Sequence, residues 1–125
     1  MIEPFILEET DDTPKVVLDK ENNNFEISGK SLPEDAMKFF EPIQKWIIDY
    51  IKNPNQSTEF ILNLEYFNSA SAKKIVDILI NLEDLSKSGK EIKIIWYFGE
   101  DDELMENKGE EIKSIIDIPF ELRSF

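Results

Sequence analysis

Two apolar extended runs separated by one helix-patterned stretch constrain this chain more than any other feature. Thr58 to Phe67 and Glu91 to Phe98 are rich in β-branched and aromatic residues. Between them Ala72, Ile75, Ile78, Leu79, Leu82 and Leu85 recur at helical spacing, and Gly89 is placed to end that helix. A strand–helix–strand unit of this length calls for parallel strands joined by a right-handed crossover. In the first strand Phe60, Leu62, Leu64 and Tyr66 share one face, while Ile61, Asn63, Glu65 and Phe67 share the other. The mixed second face predicts helices on one side of the sheet and partial exposure on the other.

The flanking segments extend this unit. Phe5–Leu7, Lys15–Leu18 and Phe25–Gly29 read as three short strands of a meander, the first two separated by an acidic loop. Ser31-Leu32-Pro33-Glu34 reads as a capping box with Pro33 in the first turn. It opens a helix whose apolar face runs from Ala36 through Phe40, Ile43, Trp46 and Ile47 to Tyr50 and Ile51. Pro42 inside it predicts a bend. After Gly99 a shorter helix is expected to break at Asn107-Lys108-Gly109 and to resume through Ile112, Ile115 and Ile116. Ile118 to Leu122 reads as a final edge strand, where Pro119 is tolerable. The order βββαβαβαβ predicts one α/β domain over residues 1–125, a mixed sheet of about six strands with helices mainly on one face.

Absent residue types narrow the function. The chain has no Cys, which excludes thiolate chemistry and Cys-ligated metals, and no His, which removes the commonest general base and the usual imidazole metal ligand. Its 27 acidic residues against 14 basic ones, a net charge of −13, repel nucleic acid and anionic membranes and favour basic protein surfaces. No apolar run approaches the ~20 residues of a membrane span. The N-terminus has no basic region or signal core, so a cytoplasmic location is expected.

Chemistry concentrates at Asn68-Ser69-Ala70-Ser71, between the first of these strands and its helix. Free N–H groups at a helix mouth suit an anion or a phosphorylated hydroxyl. Ser69 is the expected acceptor, with Lys73 and Lys74 in reach; the plainer reading is that Asn68 or Ser69 caps the helix. Val76 and Ile80 lie beside the core face on nearly the same side as Ser69, as a partner strip or as packing against a neighbouring element. Asp101, Asp102 and Glu103, with Glu106, could hold a divalent cation or a basic partner, or could cap the next helix. The aromatic residues sit on inferred core faces and read as structural.

The chain resembles the SiaC-like family of bacterial regulatory phosphoproteins. The resemblance is carried, in order, by Ile27-Ser28-Gly29-Lys30-Ser31-Leu32-Pro33-Glu34, by Phe39-Phe40-Glu41-Pro42-Ile43 with Trp46 and Tyr50, and by Leu64 to Lys73. Trp96-Tyr97, Asp101-Asp102-Glu103, Met105-Glu106, Gly109-Glu110 and Ile118-Pro119-Phe120-Glu121 complete it. It implies a STAS-like fold, similar to anti-sigma-factor antagonists, and a non-enzymatic switch phosphorylated at the start of the helix after the central strand. The family pattern has Thr at that position; here Ser69 keeps the hydroxyl, and Ala70 removes a second acceptor. The implied partners are a SiaB-type Ser/Thr kinase, a SiaA-type phosphatase and a diguanylate cyclase. The unphosphorylated form would activate the cyclase in cyclic-di-GMP and biofilm signalling. No cofactor or resident metal is implied. The competing expectations are an anti-sigma-factor antagonist acting by partner switching, and a metal-assisted hydrolase using Asp101, Asp102 and Glu106.

Overall fold

In the computed structural model, which describes residues 2–125, six strands form one sheet in the order β1-β2-β3-β4-β5-β6. They are β1 (Phe5–Leu7), β2 (Lys15–Asp19), β3 (Asn24–Ser31), β4 (Ser57–Phe67), β5 (Glu91–Phe98) and β6 (Phe120–Ser124). The first pairings are antiparallel, as a meander requires, and β3 through β6 run parallel. Helices α1 (Ala36–Tyr50), α2 (Ser69–Lys87) and α3 (Glu103–Ile115) make the three crossovers. Strand order advances in one direction, so three right-handed crossovers place all three helices on the same face. The expected element order and one-sided layering are both present.

The core lies between that face and the helices. Phe25, Ile27, Phe60, Leu62, Ile94 and Trp96 point into it and are almost wholly buried, meeting Phe40, Ile43 and Ile47 of α1 and Ile75, Ile78, Leu79 and Leu82 of α2. On the open face, Lys93 and Arg123 flank Glu121 at 2.7 and 2.6 Å. The hydrogen bond from Lys93, followed by that from Arg123, holds the Glu121 carboxyl below the ordinary carboxylate range. Its contribution to stability is therefore present at neutral pH and lost as the pH falls from the ordinary carboxylate value through its own lowered one.

Four sequence expectations need correction. Ser31 does not cap α1: it is the last residue of β3, buried, and Asp35 caps instead, its Oδ1 accepting from Lys38 N at 3.1 Å. Pro33 thus precedes the helix rather than lying in its first turn. Pro42 does lie within α1, at an exposed position facing solvent.

The second correction concerns β4, whose alternation fails at its end, where Tyr66 is exposed and Phe67 buried. The cause is a register shift against β3: Gly29 pairs with Leu64 but Lys30 pairs with Tyr66, so Glu65 is an extra residue that reverses the side-chain phase. Gly29 accommodates the kink at φ +103, a conformation side-chain-bearing residues rarely adopt.

Third, α3 is continuous across Asn107-Lys108-Gly109. Gly109 is there for close approach: a Cβ at that position would lie 2.6 Å from the Trp96 ring, whose Nε1 donates to the Met105 carbonyl at 3.1 Å. Fourth, β6 begins only at Phe120; Ile118 and Pro119 precede it, although the Pro119 carbonyl accepts from Ile94 N. We expect Gly109→Ala to lower stability by about 1–3 kcal/mol through overpacking on Trp96, read from urea unfolding followed by tryptophan fluorescence.

Candidate functional site

Where β4 hands over to α2, the backbone is fixed by a small polar circuit. Asn68 is the N-cap, extended at φ −86 and ψ 172, and its Oδ1 accepts from Ser71 N at 2.9 Å. Its own N–H donates to the Ser31 carbonyl at 3.1 Å. That carbonyl also accepts from Ser71 Oγ at 3.1 Å, while Ser31 Oγ donates to Ser71 Oγ at 2.8 Å. Both serines are fully buried. Ser31 lies in β3 and Ser71 in the first turn of α2, so the pair joins strand end to helix start.

The two serines of the cluster therefore differ in kind. Ser71 is sequestered and engaged through both its hydroxyl and its N–H. Ser69, the first helical residue, is exposed. It is not the cap, which settles the choice left open between Asn68 and Ser69. Asn68 takes only the N–H of Ser71, so those of Ser69 and Ala70, both exposed residues, have no acceptor within the helix. Lys73, one turn on from Ser69, is exposed. Lys73 and Lys74, with Ala70, border a depression of about 650 Å³ whose far wall is Glu34, Asp35, Ala36 and Met37 at the start of α1.

Val76 and Ile80 follow Ser69 along α2. Val76 is half-buried against the core and Ile80 is 47% exposed, so the strip is part packing and part open surface. Asp101, Asp102 and Glu103 lie at the start of α3, at the same C-terminal end of the parallel strands as Ser69. Asp102 caps α3, its Oδ1 accepting from Met105 N at 3.0 Å, while Asp101 and Glu103 are exposed. Among the described residues no three or more carboxylates gather as a metal site, so Asp101, Asp102 and Glu106 do not assemble the centre a hydrolase would need.

Sequence reasoning missed Lys108, read as part of a helix break. The continuous α3 puts its Nζ 5.3 Å from the centre of the Phe67 ring, next to Asn68. Helical spacing from Leu104 to Ile115, taken without a break at Gly109, is the signal that would have found it.

Fold and site together define an α/β domain that presents one exposed hydroxyl, Ser69, at a helix mouth. A family model described as SiaC family regulatory phosphoprotein matches residues 7–125, and the chain belongs to that family. An uncharacterized protein of Pseudomonas aeruginosa strain UCBPP-PA14 is 25% identical over 115 residues, 92% of this chain and 91% of that protein. The structure of apo-SiaC from Pseudomonas aeruginosa superposes with a TM-score of 0.87 at 24% identity, covering 98% of this chain and 99% of that one. SiaC in its crystal complex with the diguanylate cyclase SiaD, whose activator it is, gives a TM-score of 0.90 at 24% identity over 97% of this chain and 99% of that one. These structures share the fold. Among the described residues, no helix is long and apolar enough to cross a membrane.

The roles of the site residues separate by stability. Asn68→Ala is expected to cost about 1 kcal/mol by removing the cap. Ser71→Ala should cost about 1–3 kcal/mol, because it leaves the buried Ser31 hydroxyl without its acceptor. Ser69→Ala should stay within about 0.5 kcal/mol of the parent, as an exposed surface change does. Thermal and urea unfolding of the three variants measures this order.

Proposed function

We propose that this chain is a non-enzymatic phosphoswitch. A SiaB-type Ser/Thr kinase phosphorylates Ser69 and a SiaA-type phosphatase removes the phosphate. The unphosphorylated form binds and activates a diguanylate cyclase, placing the protein in cyclic-di-GMP and biofilm signalling in the cytoplasm. The observation that carries this reading is the contrast between the two hydroxyls at the helix mouth: Ser69 is exposed beyond a cap it does not provide, and Ser71 is buried and fully engaged. Membership of a family of regulatory phosphoproteins supports it, as does the complex that the similar SiaC makes with its cyclase.

The physics of the switch is local. A phosphoryl group on Ser69 brings roughly −1.5 to −2 charges to the positive end of the α2 dipole, where the free N–H groups of Ser69 and Ala70 and the Lys73 ammonium favour it. The same dianion beside the Val76–Ile80 strip penalises any partner that desolvates that strip. In this reading Asp101 and Glu103 belong to the partner surface together with Asp102, a half-exposed residue that also caps α3.

Incubation with the kinase and ATP, followed by intact-mass measurement, tests the assignment. One phosphate is expected on the parent protein and on Ser71→Ala, and none on Ser69→Ala. Undiminished incorporation on Ser69→Ala would exclude Ser69 as the acceptor.

A further inference from the structure

Strand β6 pairs through only one side of its backbone. The Pro119 carbonyl accepts from Ile94 N, and Phe125 N donates to the Phe98 carbonyl. In this parallel ladder Glu121 and Arg123 therefore turn their N–H and C=O groups to β5. Those of Phe120, Leu122 and Ser124 point the other way, and among the described residues no strand lies beyond β6. Natural sheets blunt a free edge with Lys, Pro, a bulge or a very short strand. At the opposite edge β1 has only three residues and follows Pro4. In contrast β6 has five, in unbroken register with β5 and with neither Lys nor Pro among them.

The side chains make this edge complementary to itself. An antiparallel copy of β6 centred on Leu122 sets Leu122 against Leu122 and Phe120 against Ser124. These are the residues whose groups point outward, so the pairing closes about six hydrogen bonds. Between them Glu121 stands opposite Arg123 on the open face, with Cα atoms about 4.5 Å apart, and Arg123 stands opposite Glu121. Moving the centre to Glu121 or to Arg123 opposes like charges instead, so charge selects one register. In a chain of net charge −13 this strand carries one carboxylate and one guanidinium, both partly exposed.

Helix α3 fits the same two-fold axis. Met105, Gly109 and Ile112 face the sheet, and Lys108 turns toward Phe67 of β4. At about 100° per residue, Glu106, Glu110 and Lys113 fall on the other flank, toward the β6 edge. Gly109 stands over Leu122, where a Cβ would lie 3.0 Å from Leu122 Cδ2. An axis through Leu122 thus turns Glu106 of one α3 toward Lys113 of the other. Glu110 faces its own counterpart near the axis, a like-charge approach that keeps the association weak.

We propose that β6 is an interaction edge whose partner is a second copy of this chain, joined antiparallel about Leu122 into one continuous sheet. The contact is isologous, so it closes at two copies rather than growing into a fibre. It leaves Ser69 open, because β4 lies two strands inward, and it points the two helix mouths in opposite directions.

Sedimentation equilibrium from micromolar to millimolar concentration reads the association, and the parent chain is expected to form a reversible dimer. Ser124→Pro removes an outward N–H while the bonds to β5 stay, and should weaken the dimer by about tenfold or more. Glu121→Arg and Arg123→Glu should each weaken it to a similar degree by opposing like charges. An equimolar mixture of these two variants places arginine opposite glutamate at both positions. It is expected to restore the dimer to within about threefold of the parent. Thermal melts check that each variant is folded; should Ser124→Pro fail, the mixing experiment decides alone. Amide exchange followed by NMR gives a second readout. Phe120, Leu122 and Ser124 gain protection with concentration, while Glu121 and Arg123 are protected throughout. A parent chain that stays monomeric over this range overturns the edge. So does a dimer that persists in folded Ser124→Pro, or a pair of folded charge variants that stay apart when mixed.

Discussion

The geometry of the helix mouth depends on the buried hydrogen-bond circuit between Ser31 and Ser71. The Ser31 carbonyl receives both the Asn68 N–H and the Ser71 hydroxyl, and the Ser31 hydroxyl is satisfied by Ser71 in turn. Buried polar groups are costly unless paired, so this arrangement tolerates little displacement. A slide of α2 by one residue would rotate it by about 100° and break all three bonds together. It would also replace the exposed Ser69 by Ala70. The position of the bare hydroxyl is therefore set by residues that never touch it, one of them, Ser31, on the neighbouring strand β3.

A second constraint acts through β4. The extra residue at Glu65 reverses the strand's phase, turning Phe67 into the core against Trp96, with ring centres 5.8 Å apart, and leaving Tyr66 outside. Phe67 then supports both α2 and α3. It precedes the cap of α2, and its ring lies under Lys108 of α3. Trp96, in contact with Phe67, receives Gly109 against its face and donates to the Met105 carbonyl, which sets the height of α3 over the sheet. A single bulge thus places the first turn of α2 and the middle of α3 relative to one another.

Much of this was legible from the chain alone because it rests on periodicity. The apolar alternation of Phe60, Leu62 and Leu64 and the helical spacing of Ile75, Ile78, Leu82 and Leu85 report burial directly, and the order of strands and helices follows. What was hidden depends on tertiary partners. Ser31 looks like a cap because Glu34 follows it at capping-box spacing, yet the β3–β4 pairing draws it into the sheet and the cap passes to Asp35. Glu65 carries no local mark of a bulge. Gly109 looks like a breaker because intrinsic propensity is silent about a tryptophan ring that admits no Cβ. At the site, local sequence identified the helix mouth but could not separate Asn68 from Ser69 as cap, nor reveal that Ser71 was already committed to Ser31.

That division of labour bears on how a modification at Ser69 would act. A hydroxyl that caps a helix would have to exchange its Oγ acceptor for a phosphate oxygen when modified, so the cap would be rebuilt each time the group is added or removed. Here Asn68 caps and Ser71 anchors, so the charge on Ser69 can change while every hydrogen bond of the junction stays in place. The proposed switch would then work through surface electrostatics, with no unfolding required. In a chain of net charge −13, a further dianion is tolerable only where positive potential is concentrated. The helix mouth meets that condition: the N–H groups of Ser69 and Ala70 have no acceptor within the helix, Lys73 lies one turn away, and Lys108 stands over Phe67 and is in none of the ion pairs among the described residues. Those same cations would greet an acidic partner residue when the phosphate is absent. Phosphate and partner would then compete for one small set of charges, and one phosphoryl group on Ser69 Oγ would be enough to decide between them.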